Sequence, residues 1–370
     1  MDAHYGFGIE EEFFLADVAT RDTPRHTKPF HDAVRARVPT AERELLASQV
    51  EVATEPTESP ATARARLTEL RAGLADAGRQ HGILVLASGT HPLARWDRQR
   101  HTRKERYDRL MQQMQMVGQR NAVCGMHVHV EVPRPAGRVD LMNRLQPFIP
   151  LLLALSASSP FWQGYDTGLA AYRLSVWGEL PRTGLADLFE DAADYDRYVL
   201  AMTRSGAIAD ASFLWWTLRP SVRYPTLELR VADSCTRLDD TMGIAALYRC
   251  LVRLLDRTPA LNRGQTGAAR AVTAENLWRA QRDGIRAEFL DTDGVTVPFA
   301  AGLDAVLSQV EEDAAALGCE ADLAWLRTVA AQGTSADRQL AVFAAAQGDA
   351  RQALCATVDW IAAASAGRSS

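Results

Sequence analysis

Lysine is almost missing from this chain. Lys28 and Lys104 are its two lysines among 41 basic residues, and the remainder are arginines. Neither lysine sits in a GxxxxGK[ST] setting, which excludes a phosphate-binding P-loop. Gly6-Phe7-Gly8 lacks the third glycine of a GxGxxG dinucleotide fingerprint. A nucleotide bound here must therefore be held by metal ions and arginines. Cysteine is also scarce: five residues, odd in number and without CxxC spacing. That argues against a disulfide framework or a structural zinc site and for reduced thiols. Cys124 and Cys235 read as buried, inert thiols. No apolar run is long enough for a bilayer, since the longest, Phe148 to Leu155, is short and contains Pro150. The N-terminus, Met-Asp-Ala-His-Tyr, has no basic n-region followed by an apolar stretch. These absences predict a cytoplasmic protein with no membrane contact. An excess of positive charge is lacking too: 41 basic residues face 46 acidic ones, net −5, which excludes a general nucleic-acid binder.

What is present is a pattern of polar residues on strands. Phe7-Gly8-Ile9-Glu10-Glu11-Glu12-Phe13-Phe14-Leu15 reads as a β-strand. Glu10 and Glu12 share one face, roughly 6.6 Å apart by strand rise, and Glu11 points the other way. Met126-His127-Val128-His129-Val130-Glu131 puts two imidazoles on one face of a second strand. Thr226-Leu227-Glu228-Leu229-Arg230-Val231 puts a carboxylate and a guanidinium on a third, and Ser48 to Thr54 sets Glu51 between two valines on a fourth. Each alone has a plain explanation: a charged edge strand, two satisfied core histidines, a cross-strand salt bridge, a solvent-facing glutamate. Together they read as one polar face of one sheet. Carboxylates gathered there repel by about 4 kcal/mol per close pair at 4 Å and a dielectric of 20. Hard divalent cations remove that cost, and an oxygen-rich site with histidine suits Mg²⁺ or Mn²⁺. Such ions keep positions open for phosphates, which points to phosphoryl transfer. Arg230 is placed to neutralise a transferring phosphoryl group, and Arg219 and Arg173 can do the same or grip a carboxylate.

Between these strands the helix signals are local. Ser59-Pro60 starts a helix with a Leu67, Leu70, Leu74 stripe that ends at Gly82. An Arg-dense loop over 94–106 leads into a helix ending near Arg120. Further helices are expected over Val139–Ser158 and Asp187–Thr203. From Asp239 onward the chain reads as helical, with breaks near 264–267 and 333–335. Antiparallel strands with one face covered by helices make this an α+β protein. Without repeats or low-complexity linkers, residues 1–370 are expected to form a single catalytic domain. Its motif-bearing sheet core covers about 6–284 and its helical C-terminal part about 285–370.

Taken in order, several stretches resemble the type-2 glutamate–cysteine ligase family, the ATP-dependent carboxylate–amine ligases. They are Gly8 to Glu12, Ser88-Gly89-Thr90-His91-Pro92, Cys124 to His129, Gly164 to Gly168 with Tyr172-Arg173, Thr226 to Arg230, and Glu275-Asn276-x-Trp278 with Arg282 and Gly284. The resemblance implies a glutamine-synthetase-like catalytic fold, a curved antiparallel sheet forming a funnel for Mg²⁺·ATP, with Mn²⁺ as a possible substitute. It implies that a carboxylate, that of glutamate in the archetype, forms an acyl phosphate that an amine such as cysteine converts to an amide. By position, Glu10, Glu12, Glu51, His127 and Glu228 would be metal ligands, and Glu228 and Arg230 catalytic. His129, Arg173, Arg219 and Arg282 would bind ATP or substrate. A homodimer is part of the same expectation. Three other readings stand beside it: a ligase of the same fold for another acid and amine, a His-x-His zinc hydrolase, and a non-catalytic binder of ATP or amino acids.

Overall fold

A computed structural model describes residues 4–367. The chain first lays down β1 (Phe7–Asp17), β2 (Glu42–Arg43), β3 (Gln49–Ala53), β4 (Ile83–Leu86) and β5 (Met126–Glu131). Two short pairs follow in the loops, β6 (Phe161–Trp162) with β7 (Tyr165–Asp166) and β8 (Thr183–Gly184) with β9 (Trp215–Trp216). Then come β10 (Leu218–Pro220) and β11 (Thr226–Leu229). The main sheet runs β10-β11-β5-β1-β3-β2, with β4 paired to the far end of β1. Every pairing in it is antiparallel.

Alternation divides the sheet into two unlike faces. Ile9, Phe13, Val50, Val52, Val128, Val130, Leu227 and Leu229 are buried in one apolar core. Leu67, Leu70 and Leu74 of α2 (Pro60–His81) and Tyr248 and Leu251 of α8 (Leu238–Arg257) belong to the same core. The α2 boundaries are those its sequence signals predict. The Ser59 side chain accepts from Thr62 N, and Gly82 ends the helix at φ 63°, a left-handed conformation suited to glycine.

One charge lies on this apolar side. Glu11 is fully buried and takes a two-pronged contact from Arg71 of α2, Nε at 2.9 Å and Nη2 at 2.5 Å. The Thr241 hydroxyl of α8 donates to the same carboxylate at 2.7 Å. Arg71 also donates to the carbonyls of Thr236 and Cys235 at 2.9 and 2.8 Å. A carboxylate buried this deeply stays charged only with such partners. The ion pair thereby ties the middle of β1 to α2 and α8 and fixes which glutamates face outward.

Three expectations are corrected. The helix predicted over 139–158 is broken: α4 (Arg138–Leu145) and α5 (Ile149–Ser156) flank a 3₁₀ turn at Gln146–Phe148. Pro147 and Pro150 have no N–H to give, so a continuous helix would leave carbonyls unpaired. The helix predicted from Asp187 begins at Ala192, because Asp191 caps it by accepting from Asp194 N. The C-terminal part is not wholly helical. A hairpin, β12 (Glu288–Leu290) with β13 (Thr296–Pro298), turns at Asp291–Gly294, where Gly294 has φ 81°. No helix among the described residues is long and apolar enough to cross a membrane.

An Arg71→Met variant leaves Glu11 buried without its cation. Loss of about 3–5 kcal/mol of stability is expected, measured by urea unfolding. Wild-type stability in this variant would show that the pair does not hold β1.

Candidate active site

The second face of the sheet lines a cavity of about 600 Å³. Strand register dictates who meets whom there. Glu10 stands opposite His127, Glu12 opposite Glu51, Glu228 opposite His129, and Arg219 opposite Glu228. Glu10, Glu12, Glu51, His127, His129, Arg173, Arg219, Glu228 and Arg230 all line the cavity. The polar face anticipated from strand alternation is a single surface.

One ligand atom each from Glu10, His129 and Glu228 lies within 4.8 Å of the others, a spacing that a metal ion can bridge. His129 Nε2 is 3.5 Å from Glu10 and 4.0 Å from Glu228, and its Nδ1 is 2.9 Å from the Thr226 hydroxyl, which orients the ring. His127, also expected as a metal ligand, stands between Glu10 and Glu12, the two cavity-facing glutamates of β1. It lies 3.3 Å from Glu10 and 3.9 Å from Glu12. Burial, with the Arg230 charge added, lowers the His127 pKa to about 4, so it is a neutral imidazole. Burial opposes the charge on Glu10, yet hydrogen bonds from His127 and His129 hold its pKa well below the usual carboxylate range. Glu228 is buried too, but Arg230 and Arg219 lower its pKa to about 2.

A second group of carboxylates lies toward the other edge of the sheet. Burial, reinforced by the charge of Glu44, raises the Glu12 pKa to about 7. Burial and then Glu44 push Glu51 well above its ordinary value. Glu12 receives the Gly125 N–H at 2.6 Å. Glu44 lines the cavity just after β2, where Glu42 faces Glu51, and sequence reasoning missed it. Its signal was the alternation of Glu42 and Glu44 nine and seven residues before Glu51 (two polar residues at strand spacing on a chain that must turn back). Burial opposes the charge on Glu10, Glu12, Glu51 and Glu228 alike, and the four fit hard divalent cations such as Mg²⁺ or Mn²⁺, whose charge would remove the repulsion among them.

The guanidiniums are held, not loose. Arg219 spans Glu228 at 2.9 and 3.4 Å and also donates to the carbonyls of Ser212 and Leu214. Arg230 pairs with the other side of Glu228 and lies 5.8 Å from the Trp177 ring. Arg173 shares that ring at 4.9 Å and donates to the carbonyls of Val231 and Arg230 at 3.1 and 3.3 Å. Arg173 is only 3% exposed, and Gly125 lets it in: a Cβ there would stand 2.3 Å from Arg173 Nη2. Arg282 is the exception among the expected site residues. It is half exposed at the end of α9 (Gly267–Asp283), pairs with Asp283 at 2.7 Å and does not line the cavity. Helical position carries the 282 side chain outward, and it is the Arg282 carbonyl that the core uses, accepting from Ala170 N.

A family model described as glutamate–cysteine ligase family 2 matches residues 6–357. A protein of Bradyrhizobium diazoefficiens, provisionally named glutamate–cysteine ligase 2, is 44% identical over 363 residues, 98% of this chain and 84% of that one. A similarly named protein of Rhodospirillum rubrum is 44% identical over 369 residues, 96% of this chain and 94% of its own. Among solved structures, the glutamate–cysteine ligase of Francisella tularensis in complex with AMP matches with a TM-score of 0.71 at 13% identity. That alignment covers 99% of this chain and 89% of that one. A bifunctional glutathione synthetase from Pasteurella multocida also matches at 0.71, with 15% identity over 98% of this chain and 53% of that chain. The fold is therefore the α+β class expected from the strand pattern and the ligase fold that the family resemblance implied.

A cation held in this cavity would carry a pH signature. Glu12 keeps its proton below about 7, and a cation must displace it. Affinity for Mn²⁺, read by calorimetry, should therefore rise between about pH 6 and 8. A His129→Ala variant should bind Mn²⁺ at least about tenfold more weakly. Affinity independent of both pH and His129 would contradict this ligand set.

Proposed function

The chain belongs to glutamate–cysteine ligase family 2, and on that premise we propose that it joins a carboxylic acid to an amine at the expense of ATP through an acyl phosphate. The acid substrate is glutamate, or an acid presenting the same γ-carboxylate, and the amine is cysteine or another primary amine. The observation that carries the reading is one cavity face in which Glu10, His129 and Glu228 converge beside Arg219 and Arg230. A carboxylate attacking ATP must approach a polyanion, and a site for that step needs cations on every side of the phosphate.

Glu10, Glu12, Glu51, Glu228 and the two histidines would hold Mg²⁺, with Glu44 as a further ligand. Bound there, the ions would screen the β- and γ-phosphates and hold them in line with the acid. Glu228 stays ionised because of its two arginines, and it returns the favour by fixing where their guanidiniums point. Arg230 is positioned to follow the charge that develops on the transferred phosphoryl group. Arg173, a charge buried between the Arg230 and Val231 carbonyls and Trp177, offers a cation to the α-carboxylate of the acid. Once the acyl phosphate forms, the amine attacks its carbonyl carbon, phosphate leaves, and the amide remains.

Phosphate release from Mg²⁺·ATP should require both an acid and an amine, tested across panels that include glutamate and cysteine. Arg230→Ala should lower kcat by about 10²- to 10³-fold. Glu12→Gln should abolish turnover while the protein stays folded. Absence of ATP consumption under every pairing, together with tightly bound zinc, would replace this reading with a His-x-His hydrolase.

A further inference from the structure

None of Ser88-Gly89-Thr90-His91-Pro92 lines the cavity. Its Gly89 leads instead to a carboxylate set behind it. A Cβ at position 89 would stand 2.5 Å from Asp233 Cγ, so only a glycine lets the main chain lie this close to that side chain. Asp233 is fully buried and does not line the cavity either. Its Oδ2 accepts from Ser158 N at 3.0 Å and from the Ser159 hydroxyl at 2.6 Å. Ser158 is itself pinned: its hydroxyl accepts from Gly89 N at 2.8 Å and donates to the Ser234 carbonyl at 2.9 Å. A carboxylate this deep in the protein costs stability unless it has a charge to work on.

Two routes join Asp233 to Arg173. The first is a hydrogen-bond chain. The Ser159 hydroxyl that donates to Asp233 accepts from Arg173 N at 3.0 Å, which fixes the first residue of α6 (Arg173–Trp177). The second is charge. Arg173 forms no ion pair among the described residues. Burial lowers its pKa, Asp233 and then Glu12 oppose that shift, and the neighbouring Arg230 adds to it. The main chain brings the partners together, because Asp233 bridges to Gly125, the residue whose missing side chain admits the Arg173 guanidinium. Arg173 in turn donates to the carbonyls of Val231 and Arg230.

We propose that Asp233 is a positioning residue, which holds Arg173 on the Val231 and Arg230 carbonyls and so sets its grip on the acid substrate. Arg173 and Arg230 lie against one ring, that of Trp177, and without Asp233 their mutual repulsion has less to offset it. Asp233→Asn isolates this effect, since it removes the charge and keeps an oxygen for Ser158 and Ser159 to donate to. The proposal rests on the reading of Arg173 as the cation that meets the α-carboxylate of the acid.

The test is steady-state kinetics of the full-length enzyme, comparing wild type, Asp233→Asn, Arg173→Met and the double variant. Ser159→Ala cuts the link a second way should Asp233→Asn fail to fold in thermal melts. Asp233→Asn should raise the KM for the acid about tenfold, with little change in kcat or in the KM for ATP. In the double variant it should add nothing to the effect of Arg173→Met, and Ser159→Ala should move the same constant in the same direction. A wild-type KM in Asp233→Asn would overturn the positioning role and leave the ligase reading standing. So would additive effects in the double variant, or losses spread over kcat and both KM values. If the wild type turns over no acid–amine pair, the ligase reading falls, and crystal structures of wild type and Asp233→Asn decide. Arg173 displaced from the two carbonyls in the variant upholds the positioning role, and Arg173 unmoved overturns it.

Discussion

Like charges brought together on one side of a sheet are the constraint on which this molecule turns. Glu12 and Glu51 are paired strand to strand, Glu10 stands one alternation away, and Glu44 reaches in from the edge. At 4 Å and an effective dielectric of 20, each such pair costs about 4 kcal/mol, comparable to a large fraction of a domain's net stability. Antiparallel register makes the crowding unavoidable, because a one-residue slip would turn every one of these side chains into the helix layer. Glu11 shows what that layer demands of a carboxylate: Arg71, Thr241 and complete burial. The ion pair behind the sheet and the acid cluster in front of it are two consequences of one strand.

The same face is sorted by charge along the sheet. Arg219 and the low-pKa Glu228 lie on β10 and β11 with Arg230 just past the end of β11, while the carboxylates with raised pKa lie toward β2 and β3. In the proposed reading a polyanion belongs beside the arginines, and cations among the carboxylates. Trp177 lies against both the Arg173 and Arg230 guanidiniums, and Arg173 donates to the carbonyls of Val231 and Arg230 while its Nε is left without a partner. Positive charge is thus set in place in advance, and in the proposed reaction little reorganisation would accompany the transfer.

Much of this was legible in the sequence because strand period 2 is a strong constraint. Glu10 with Glu12, His127 with His129, and Glu228 with Arg230 are i, i+2 pairs bounded on both sides by apolar residues, and the structure gathers all six in one cavity. Glu51 followed from the same alternation, between Val50 and Val52. Glu44 escaped because it follows a strand of only two residues, too short to show a period. The Glu11–Arg71 pair escaped because its partners are 60 positions apart and nothing in α2 marks Arg71 as inward-facing. The 288–298 hairpin was hidden in an alanine-rich region, although Asp293-Gly294 between Leu290 and Val295 carries a hairpin turn signal. Arg282 was named from the motif around it, and motif position does not fix the side on which a helical residue emerges.

The central claim is that a carboxylate attacks ATP before the amine takes part. Positional isotope exchange tests it directly, with ATP carrying ¹⁸O in the β,γ-bridge and the acid substrate present without amine. Movement of the label from the bridge to non-bridging β-phosphate positions, dependent on the acid and on Mg²⁺, is the predicted result. Amide formation with amine present, but no exchange in its absence even when ADP release is slow, would contradict an acyl phosphate formed ahead of the amine.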